Sequence, residues 1–267
     1  MPDAPRFPFG QPVLPRPPSA ASPRPVFILG AYPSALHVAW KPLGAGRPIR
    51  AVAVENEPEP FWDGENEEAH IAAWKQAVRF DARPLGRIAP AGPLNGVNGR
   101  WLSENVLAPL GITRADVWLT DVLDTYRCGA ELADRLDITY VAFVADSSDM
   151  HLAVHSLQAQ PADEAIVDEA LTNHRERLTR ELRTARPRLI ITLGNAALRV
   201  LRELVAVDST AHAPERLDPS DYGRSVPVTT DGSSGEWIAL AHPASPRSIF
   251  DGPHGAWIEK AKARRPS

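Results

Sequence analysis

Cysteine is nearly absent from this sequence. The 267-residue chain contains one cysteine, Cys128, so it cannot form an internal disulfide framework. A single thiol also excludes a cysteine-ligated iron–sulfur cluster and a cysteine-rich zinc site, because each of these needs several thiolate ligands. The classes of protein that depend on cysteine cross-links or cysteine-bound metals are therefore excluded.

Three other features are missing as well. No apolar run approaches the length of about 20 residues that a helix needs to cross a bilayer. The first residues lack the basic and then apolar pattern of a secretory signal, so we expect a cytoplasmic protein. There is no excess of positive charge: the formal net charge is −4, which argues against broad, nonspecific adhesion to nucleic acid but allows a local basic face.

Proline is abundant at the amino-terminal end of the chain. Residues 1–25 contain nine prolines and few side chains that could pack, which predicts an irregular or disordered arm in a polyproline-like conformation. Hydrophobic residues make up 43% of the chain, which is ordinary for a globular protein. Residues 26–267 show no internal repeat, and we expect them to form a single domain.

Short apolar runs alternate with helical patterns along this region. The runs at 26–30 and 237–241 stop abruptly at turn signals, and such runs indicate strands that are buried on both faces of a mostly parallel sheet. Further strands are predicted at 49–54, 117–123, 140–144, 188–193 and 226–229, a helical turn at 34–40, and helices at 67–80, 100–110, 163–184, 195–204 and 255–263. This alternation predicts an α/β fold with a central, mainly parallel sheet.

The two strand ends suggest where a site would lie. Gly30 closes the first run, and His242 follows the last one. Ligands of open α/β sheets bind beyond the carboxyl ends of the strands. A glycine that lets backbone approach a ligand and a histidine that faces the same crevice are therefore candidates for one site.

Five segments, in this order, resemble motifs of the uracil-DNA glycosylase superfamily. They are Gly-Ala-Tyr-Pro-Ser at 30–34, Leu-Asn-Gly-Val-Asn-Gly-Arg-Trp-Leu at 94–102, Val-Trp-Leu-Thr-Asp-Val-Leu-Asp-Thr at 117–125, Arg-Pro-Arg-Leu-Ile-Ile-Thr-Leu-Gly-Asn-Ala-Ala at 186–197, and His-Pro-Ala-Ser-Pro at 242–246. The fourth is similar to a segment of the family's iron–sulfur branch, from which the missing cluster cysteines separate this chain. The resemblance implies a three-layer α/β/α sandwich with a central, mostly parallel sheet of about four strands.

The resemblance also implies an activity and its residues. A glycosylase of this kind hydrolyses the N-glycosidic bond of a flipped, damaged base during base-excision repair, with neither a metal nor an organic cofactor. His242 would donate a hydrogen bond to the departing base, and backbone N–H groups around Ala31 and Tyr32 would supply further donors. Damaged DNA would be the partner. The segment after the histidine would insert a wedge into DNA and grip phosphate, and its candidate residues are Ser245, Arg247, Ile249 and Phe250.

Several positions depart from the family pattern. Ala31 and Tyr32 stand where active relatives usually carry an acid or amide that positions water. Asp121 replaces the base-reading asparagine, and because an ionised carboxylate only accepts hydrogen bonds, we expect a base other than uracil to be preferred. Leu94 replaces a stacking aromatic residue, whose part Tyr32 or Trp40 could take. The other candidate base-binding residues are Gly30, Asn95 and Asn98.

Two functions of different class remain open. The chain is either a divergent DNA glycosylase or a superfamily member that has lost catalysis and holds DNA, a nucleotide or a protein partner. The net charge of −4 favours the binding module, whereas the retained His242 favours the enzyme. Simpler roles also stay open, since a strand-end histidine or aspartate such as Asp121 can cap a turn.

Overall fold

The computed structural model describes residues 4–147, 152–208, 211–230, 233–243, 245 and 250–263. The chain divides into two compact units. Unit 1 comprises Met1–Arg16, Pro33–Val97 and Thr125–Gln160, and unit 2 comprises Pro17–Tyr32, Asn98–Asp124 and Pro161–Ser267. Along the sequence, unit 1 thus consists of the amino terminus and two long insertions into unit 2. A single domain over residues 26–267 stays a prediction.

Unit 2 contains a six-stranded sheet, counted over the residues that the structure describes. Its strands are β1 (Val26–Gly30), β5 (Val117–Asp121), β6 (Leu189–Leu193), β7 (Ala206–Val207), β8 (Ser225–Thr230) and β9 (Ser233–Leu240), in the order β5-β1-β6-β9-β8-β7. The first four in that order are parallel, whereas β8 and β7 are antiparallel additions at one edge. The predicted central, mostly parallel sheet is confirmed; the prediction is of about four strands, and β8 and β7 extend the four parallel strands to six.

The parallel strands are mostly apolar where they cross the core. Every residue of β1 and of β5 is buried, so neither strand shows the polar alternation of a sheet with a solvated face. The rings of Phe27 and Trp118 stack on neighbouring strands with centroids 6.3 Å apart. Trp237 is fully buried and donates its indole N–H to Thr192 Oγ1 at 3.0 Å, so its polar atom is satisfied inside the core.

Helices flank this sheet. Those of unit 2 are α2 (Val97–Leu102, continued through a π turn to Ala108–Leu110), α4 (Asp163–Glu169), α5 (Arg175–Ala185), α6 (Asn195–Arg202) and α7 (Gly255–Ala263). Leu178 and Leu182 lie one turn apart on α5 and are buried in the core together with Leu198 and Leu201 of α6. The α/β fold with a central, mostly parallel sheet between helices is therefore confirmed.

Unit 1 is built around a three-stranded antiparallel sheet. Its strands are β2 (Ala35–Lys41), β3 (Ile49–Asn56) and β4 (Arg87–Pro90), in the order β3-β2-β4, and its helices include α1 (Glu67–Ala77) and α3 (Ala130–Leu136, continued to Ala142–Asp146). The helical turn predicted at 34–40 is wrong, because these residues pair as β2 with strands on both sides. The strand predicted at 140–144 is also wrong, because these residues belong to the continuation of α3.

Aromatic residues form the core of unit 1. Trp40, Trp74 and Tyr140 are all nearly inaccessible to solvent. Phe9, from the proline-rich amino-terminal segment, contacts each of these three rings at centroid distances of 5.1 to 5.6 Å, and Phe7 is also fully buried. The described part of that segment therefore contributes packed side chains, which its proline content alone does not predict. Among the described residues, no helix is both long and apolar enough to cross a membrane.

Candidate active site

The carboxyl ends of the parallel strands of unit 2 lie along one edge of the sheet. Gly30, at the end of β1, is registered with Asp121, at the end of β5. On its other side β1 pairs with β6, which pairs with β9, and His242 follows β9 by two residues. Neighbouring strands are about 4.8 Å apart, so β1 and β9 are separated by roughly 10 Å. Gly30, Asp121 and His242 therefore share one edge of one sheet.

His242 begins a tight turn directly after β9. The backbone N–H of Ser245 donates to the carbonyl oxygen of His242 at 2.8 Å. Gly194, at the end of β6, donates its N–H to the carbonyl oxygen of Leu240 at 2.8 Å, and this bond extends the β6–β9 pairing to the point where His242 emerges. A Cβ added to Gly194 would lie 3.2 Å from the Cβ of His242, so the glycine leaves the space that the histidine occupies.

Burial determines the charge of His242. Loss of water around the imidazole lowers the pKa of His242 to about 4, from an ordinary value of 6.5. The ring is therefore neutral at pH 7 and offers one N–H donor and one nitrogen acceptor. A neutral imidazole can stabilise a developing negative charge by donating a hydrogen bond, without being protonated beforehand.

The turn after β1 is tied to the residues that follow β5 by two backbone hydrogen bonds. The carbonyl oxygen of Gly30 accepts from the N–H of Val122, and that of Ala31 accepts from the N–H of Leu123, each at 3.0 Å. None of the described peptide bonds is cis, so the next N–H groups, those of Ala31 and Tyr32, point away from β5. Ala31 and Tyr32 thus follow β1 at the same carboxyl edge of the sheet at which His242 follows β9.

Asp121 is buried, with 6% of its surface exposed. Its backbone is held by Arg177 of α5, whose guanidinium donates to the carbonyl oxygens of Asp121 at 2.9 Å and of Val122 at 2.8 Å. The same guanidinium pairs with the carboxylate of Glu181 at 2.9 Å, and Glu181 is itself buried. A charged group with planar donor geometry thus fixes the end of β5, where Asp121 lies.

The other proposed base-binding residues have different surroundings. Leu94 is 41% exposed in unit 1. Asn95, also in unit 1, is 1% exposed: it donates to the carbonyl oxygen of His37 at 2.7 Å and to Glu67 at 2.6 Å, and accepts from the N–H of His37 at 2.9 Å. Base binding by Asn95 stays a prediction and would require these bonds to break. Asn98 lies in α2 of unit 2 and is partly exposed.

The aromatic residues considered for stacking on a base also differ in burial. Trp40 is fully buried in unit 1 and donates its indole N–H to the carbonyl oxygen of Leu85 at 2.7 Å, so its use as a stacking surface is wrong. Tyr32 is only partly buried and packs against the core of unit 2. Of the two, Tyr32 alone retains an accessible ring.

The proposed DNA-contacting segment is described only in part. Ser245 lies in the turn that follows His242, and its backbone closes that turn. Arg247 and Ile249 lie outside the described residues. Phe250 begins the wide π turn Phe250–His254 that leads into α7. Their contacts with DNA stay predictions that rest on the resemblance.

Three residues around this edge could not be recognised from the sequence. Tyr222 accepts a hydrogen bond from the N–H of Ala241 at 3.0 Å, and its hydroxyl lies 2.6 Å from His254 Nδ1. Residues 208–224 read as a polar loop, and His254 stands in no recognisable spacing. Arg177 is one arginine among several on α5. Its hydrogen bonds to the end of β5 separate it from the others, and such bonds of one arginine are not visible in the sequence.

The fold and this edge define an α/β protein of the kind that binds a ligand beyond the carboxyl ends of parallel strands. The chain matches the family model described as the Uracil DNA glycosylase superfamily over residues 91–264, which is more than half of its length. It therefore belongs to the uracil-DNA glycosylase superfamily, as the sequence motifs indicated. The match includes Asp121 and His242 but begins after Gly30. No curated protein matches the chain in a sequence comparison.

Proposed function

We propose that this protein is a DNA glycosylase that hydrolyses the N-glycosidic bond of a damaged base flipped out of DNA, in base-excision repair in the cytoplasm. The observation that supports the proposal is that β1, which ends at Gly30, and β9, which His242 follows, end at one edge of one parallel sheet, with the pKa of His242 lowered to about 4 by burial. Membership of the superfamily supports DNA as the partner. Extrusion of the nucleotide costs a few kcal/mol, and a damaged base lowers that cost because it is paired less well.

The reaction needs donors at the base. When the bond between C1′ of the sugar and the base nitrogen breaks, its electron pair leaves with the base, while the oxygen of water bonds to C1′ and one water proton ends on the base. A donor aimed at the departing base is worth about 3 to 4 kcal/mol. His242 and the N–H groups of Ala31 and Tyr32 are the donors that we propose. Because its pKa is about 4, His242 would act by hydrogen bonding and not as an acid.

Water activation is the weak part of this arrangement. Neither Ala31 nor Tyr32 can act as a general base at neutral pH. Catalysis would then depend on electrostatic stabilisation of the leaving base, and we expect a rate below that of a site that also has an acid or amide at this turn. The second candidate function, a catalytically impaired module that binds nucleic acid or a nucleotide, is favoured by this same substitution.

The base that we propose carries an amino group. A carboxylate at Asp121 repels the O4 oxygen of uracil but accepts a hydrogen bond from an exocyclic amino group. Sites that pair a buried polar group with the substrate can discriminate by about 10⁴-fold or more against an analogue that leaves the group unpaired. Damaged bases with an exocyclic amino group are therefore better candidates than uracil.

Release of the base tests the proposal directly. Oligonucleotides that each carry one lesion, among them uracil and amino-bearing and deaminated purines, are incubated with the protein and then cleaved at abasic sites. His242→Ala should lose at least about 100-fold in single-turnover rate, in line with removal of one such donor. His212→Ala is the matched control. It also removes an imidazole from unit 2, but His212 is exposed and distant in sequence from the residues of the proposed site.

The outcomes separate the two functions. Release of a base by the parent and by His212→Ala, but not by His242→Ala, supports the glycosylase. Absence of release on every lesion, together with salt-sensitive DNA binding by the parent, supports the binding module instead. Efficient and selective release of uracil would still support a glycosylase, but it would contradict the preference for amino-bearing bases that we assign to Asp121.

A further inference from the structure

The hydroxyl of Tyr222 joins the end of β9 to a buried histidine. It lies 3.0 Å from the backbone nitrogen of Ala241, which precedes His242, and 2.6 Å from His254 Nδ1. On its other side, His254 Nε2 lies 3.1 Å from the carbonyl oxygen of Asn105. These four groups form one continuous chain of hydrogen bonds inside unit 2.

The chemistry of the groups sets the direction of each bond. A carbonyl oxygen can only accept, so the proton of the neutral His254 ring lies on Nε2 and is donated to Asn105. Nδ1 then carries a lone pair and accepts the O–H of Tyr222. The tyrosine oxygen in turn accepts the N–H of Ala241. Burial favours both neutral forms, because it lowers the pKa of His254 and raises the pKa of Tyr222 to about 12.

Packed aromatic neighbours hold this chain of hydrogen bonds in place. The His254 ring is 1% exposed and lies between the rings of Trp101 and Trp257, each with a centroid distance of 5.3 Å and an interplanar angle of 33°. Next to Tyr222, Gly223 has a φ of +64°, and a Cβ added there would lie 2.3 Å from Cδ1 of Trp257. The loop that carries the tyrosine therefore packs on the same tryptophan that flanks the histidine.

The N–H of Ala241 donates to Tyr222 at a point where no neighbouring strand in the described part of the chain offers it a backbone acceptor. The carbonyl oxygen of Leu240 accepts from Gly194 on the β6 side, so the N–H of Ala241 points to the β8 side, where the last registered pair is Ser225 with Ile238 and the ladder has ended. A backbone N–H at such a position needs another acceptor or water. Here a side chain that is itself fixed provides the acceptor, one residue before the proposed catalytic donor.

We propose that Tyr222 and His254 are positioning residues for His242: their hydrogen-bond chain fixes the backbone of Ala241 and thereby the position of the His242 imidazole. The catalytic part of this inference rests on the proposed glycosylase function. Its structural part, the anchoring of Ala241, is independent of any activity. A misplacement of about 1 Å of a catalytic group can cost about 100-fold in rate, so loss of the anchor has a measurable effect.

Tyr222→Phe is the primary test, because phenylalanine keeps the ring and its packing but removes the hydroxyl. We expect a single-turnover rate of base release about 10- to 100-fold lower, with the Kd for the same oligonucleotide changed by less than about threefold. The second readout is amide hydrogen exchange of Ala241, which should become faster as its acceptor is lost. Tyr140→Phe is the matched control: Tyr140 is a buried tyrosine of unit 1 whose hydroxyl donates to the carbonyl oxygen of Ala153 at 2.7 Å, and its variant should leave both readouts unchanged.

Two variants of His254 test the next link in the chain of hydrogen bonds, the acceptor of the Tyr222 hydroxyl. His254→Asn retains a side-chain acceptor near the position of Nδ1, whereas His254→Phe retains a ring between the tryptophans but offers no acceptor. We expect His254→Phe to behave like Tyr222→Phe and His254→Asn to recover part of the rate and of the Ala241 protection. If His254 only filled space between the tryptophans, His254→Phe would instead be the milder of the two substitutions.

The two readouts distinguish failure of this inference from failure of the proposed function. If the parent releases no base, faster exchange of Ala241 in Tyr222→Phe and His254→Phe still supports the anchoring. If Ala241 exchanges at the parent rate in both variants, the anchoring is overturned whether or not the parent is active. An active parent whose rate is unchanged in Tyr222→Phe, despite faster exchange of Ala241, overturns the catalytic part.

Discussion

Gly194 and His242 occupy adjoining space at the carboxyl edge of the parallel strands. A Cβ at Gly194 would lie 3.2 Å from the Cβ of His242, and Gly194 has a φ of +88° and a ψ of 170°. Residues with a side chain rarely adopt this combination of angles, which is used almost entirely by glycine. Gly194 thus allows the sharp turn from β6 into α6 and leaves room for the histidine.

Replacement of Gly194 should affect both the stability of the turn and the space available to His242. Gly194→Ala should lower the free energy of unfolding by about 1 to 3 kcal/mol, because alanine is strained at this φ and ψ. It should also lower the rate of base release, because the added methyl group crowds His242. Urea unfolding and single-turnover rates measure the two effects. Gly46→Ala is the control, since a Cβ at Gly46 meets no atom within 4 Å, and equal destabilisation of both variants would contradict the strain at Gly194.

The low pKa of His242 predicts how stability depends on pH. Its pKa is 6.5 in the unfolded chain and about 4 in the folded protein, so the unfolded state binds more protons between these values. This contribution to stability is therefore complete above about pH 6.5 and is lost as the pH falls toward 4. The imidazole should give the NMR signals of a neutral ring at pH 6, and protonation at that pH would contradict the effect of burial.

Comparison with His242→Gln isolates the contribution of His242 to the pH dependence of stability. Between pH 4 and 6.5, the free energy of unfolding should rise less steeply with pH in the variant than in the parent. Other groups act in the same range: His37 also has a pKa lowered to about 4 by burial, and Glu57 has a pKa raised to about 7 by burial, which makes stability fall as the pH rises from 4.5 to 7. Because the parent and the variant share these groups, their contributions cancel in the difference.

The strands of the parallel sheet could be predicted because their environment leaves a direct mark on the sequence. A strand buried on both faces needs a predominantly apolar run, and β1, β5 and β6 show one. By contrast, β2 carries His37 among its apolar residues, and it forms a strand because β3 and β4 pair with it on either side. Pairing of that kind depends on distant segments, which the local pattern does not report.

The same distinction applies to the candidate site. Gly30 and His242 could be placed on one edge because both follow readable strands, and the ends of parallel strands meet. The hydroxyl of Tyr222 reaches His254, 32 residues further along the chain, from a loop without periodicity. Asn95 likewise binds His37, 58 residues away. Such isolated hydrogen bonds of polar side chains with distant residues leave no spacing by which a sequence could reveal them.

Arg177 should be essential for stability. Arg177→Met leaves the carboxylate of Glu181 buried without its positively charged partner and removes the donors to the carbonyl oxygens of Asp121 and Val122. Breaking a buried ion pair from one side costs about 3 to 5 kcal/mol. Chemical unfolding should show a loss of this size. Arg199→Met is the control, because Arg199 pairs with Glu164 on the surface and such pairs contribute about 1 kcal/mol or less; a similar loss in both variants would contradict the role of Arg177.

Asp121 should decide which base is released. Asp121→Asn replaces two acceptor oxygens by one acceptor and one donor, and an amide of this kind can pair with both O4 and N3–H of uracil. Because Asp121 is 6% exposed, an unmatched group there costs the full loss of a buried hydrogen bond, about 1 to 3 kcal/mol or about 5- to 150-fold in rate. We therefore expect the ratio of uracil release to release of amino-bearing bases to rise by at least about tenfold in the variant. Asp116→Asn, which changes a half-buried aspartate just before the amino end of β5, should leave the ratio unchanged. A competition assay with both lesions in one reaction measures the ratio without interference from altered stability, and an unchanged ratio in Asp121→Asn would show that this carboxylate does not face the base.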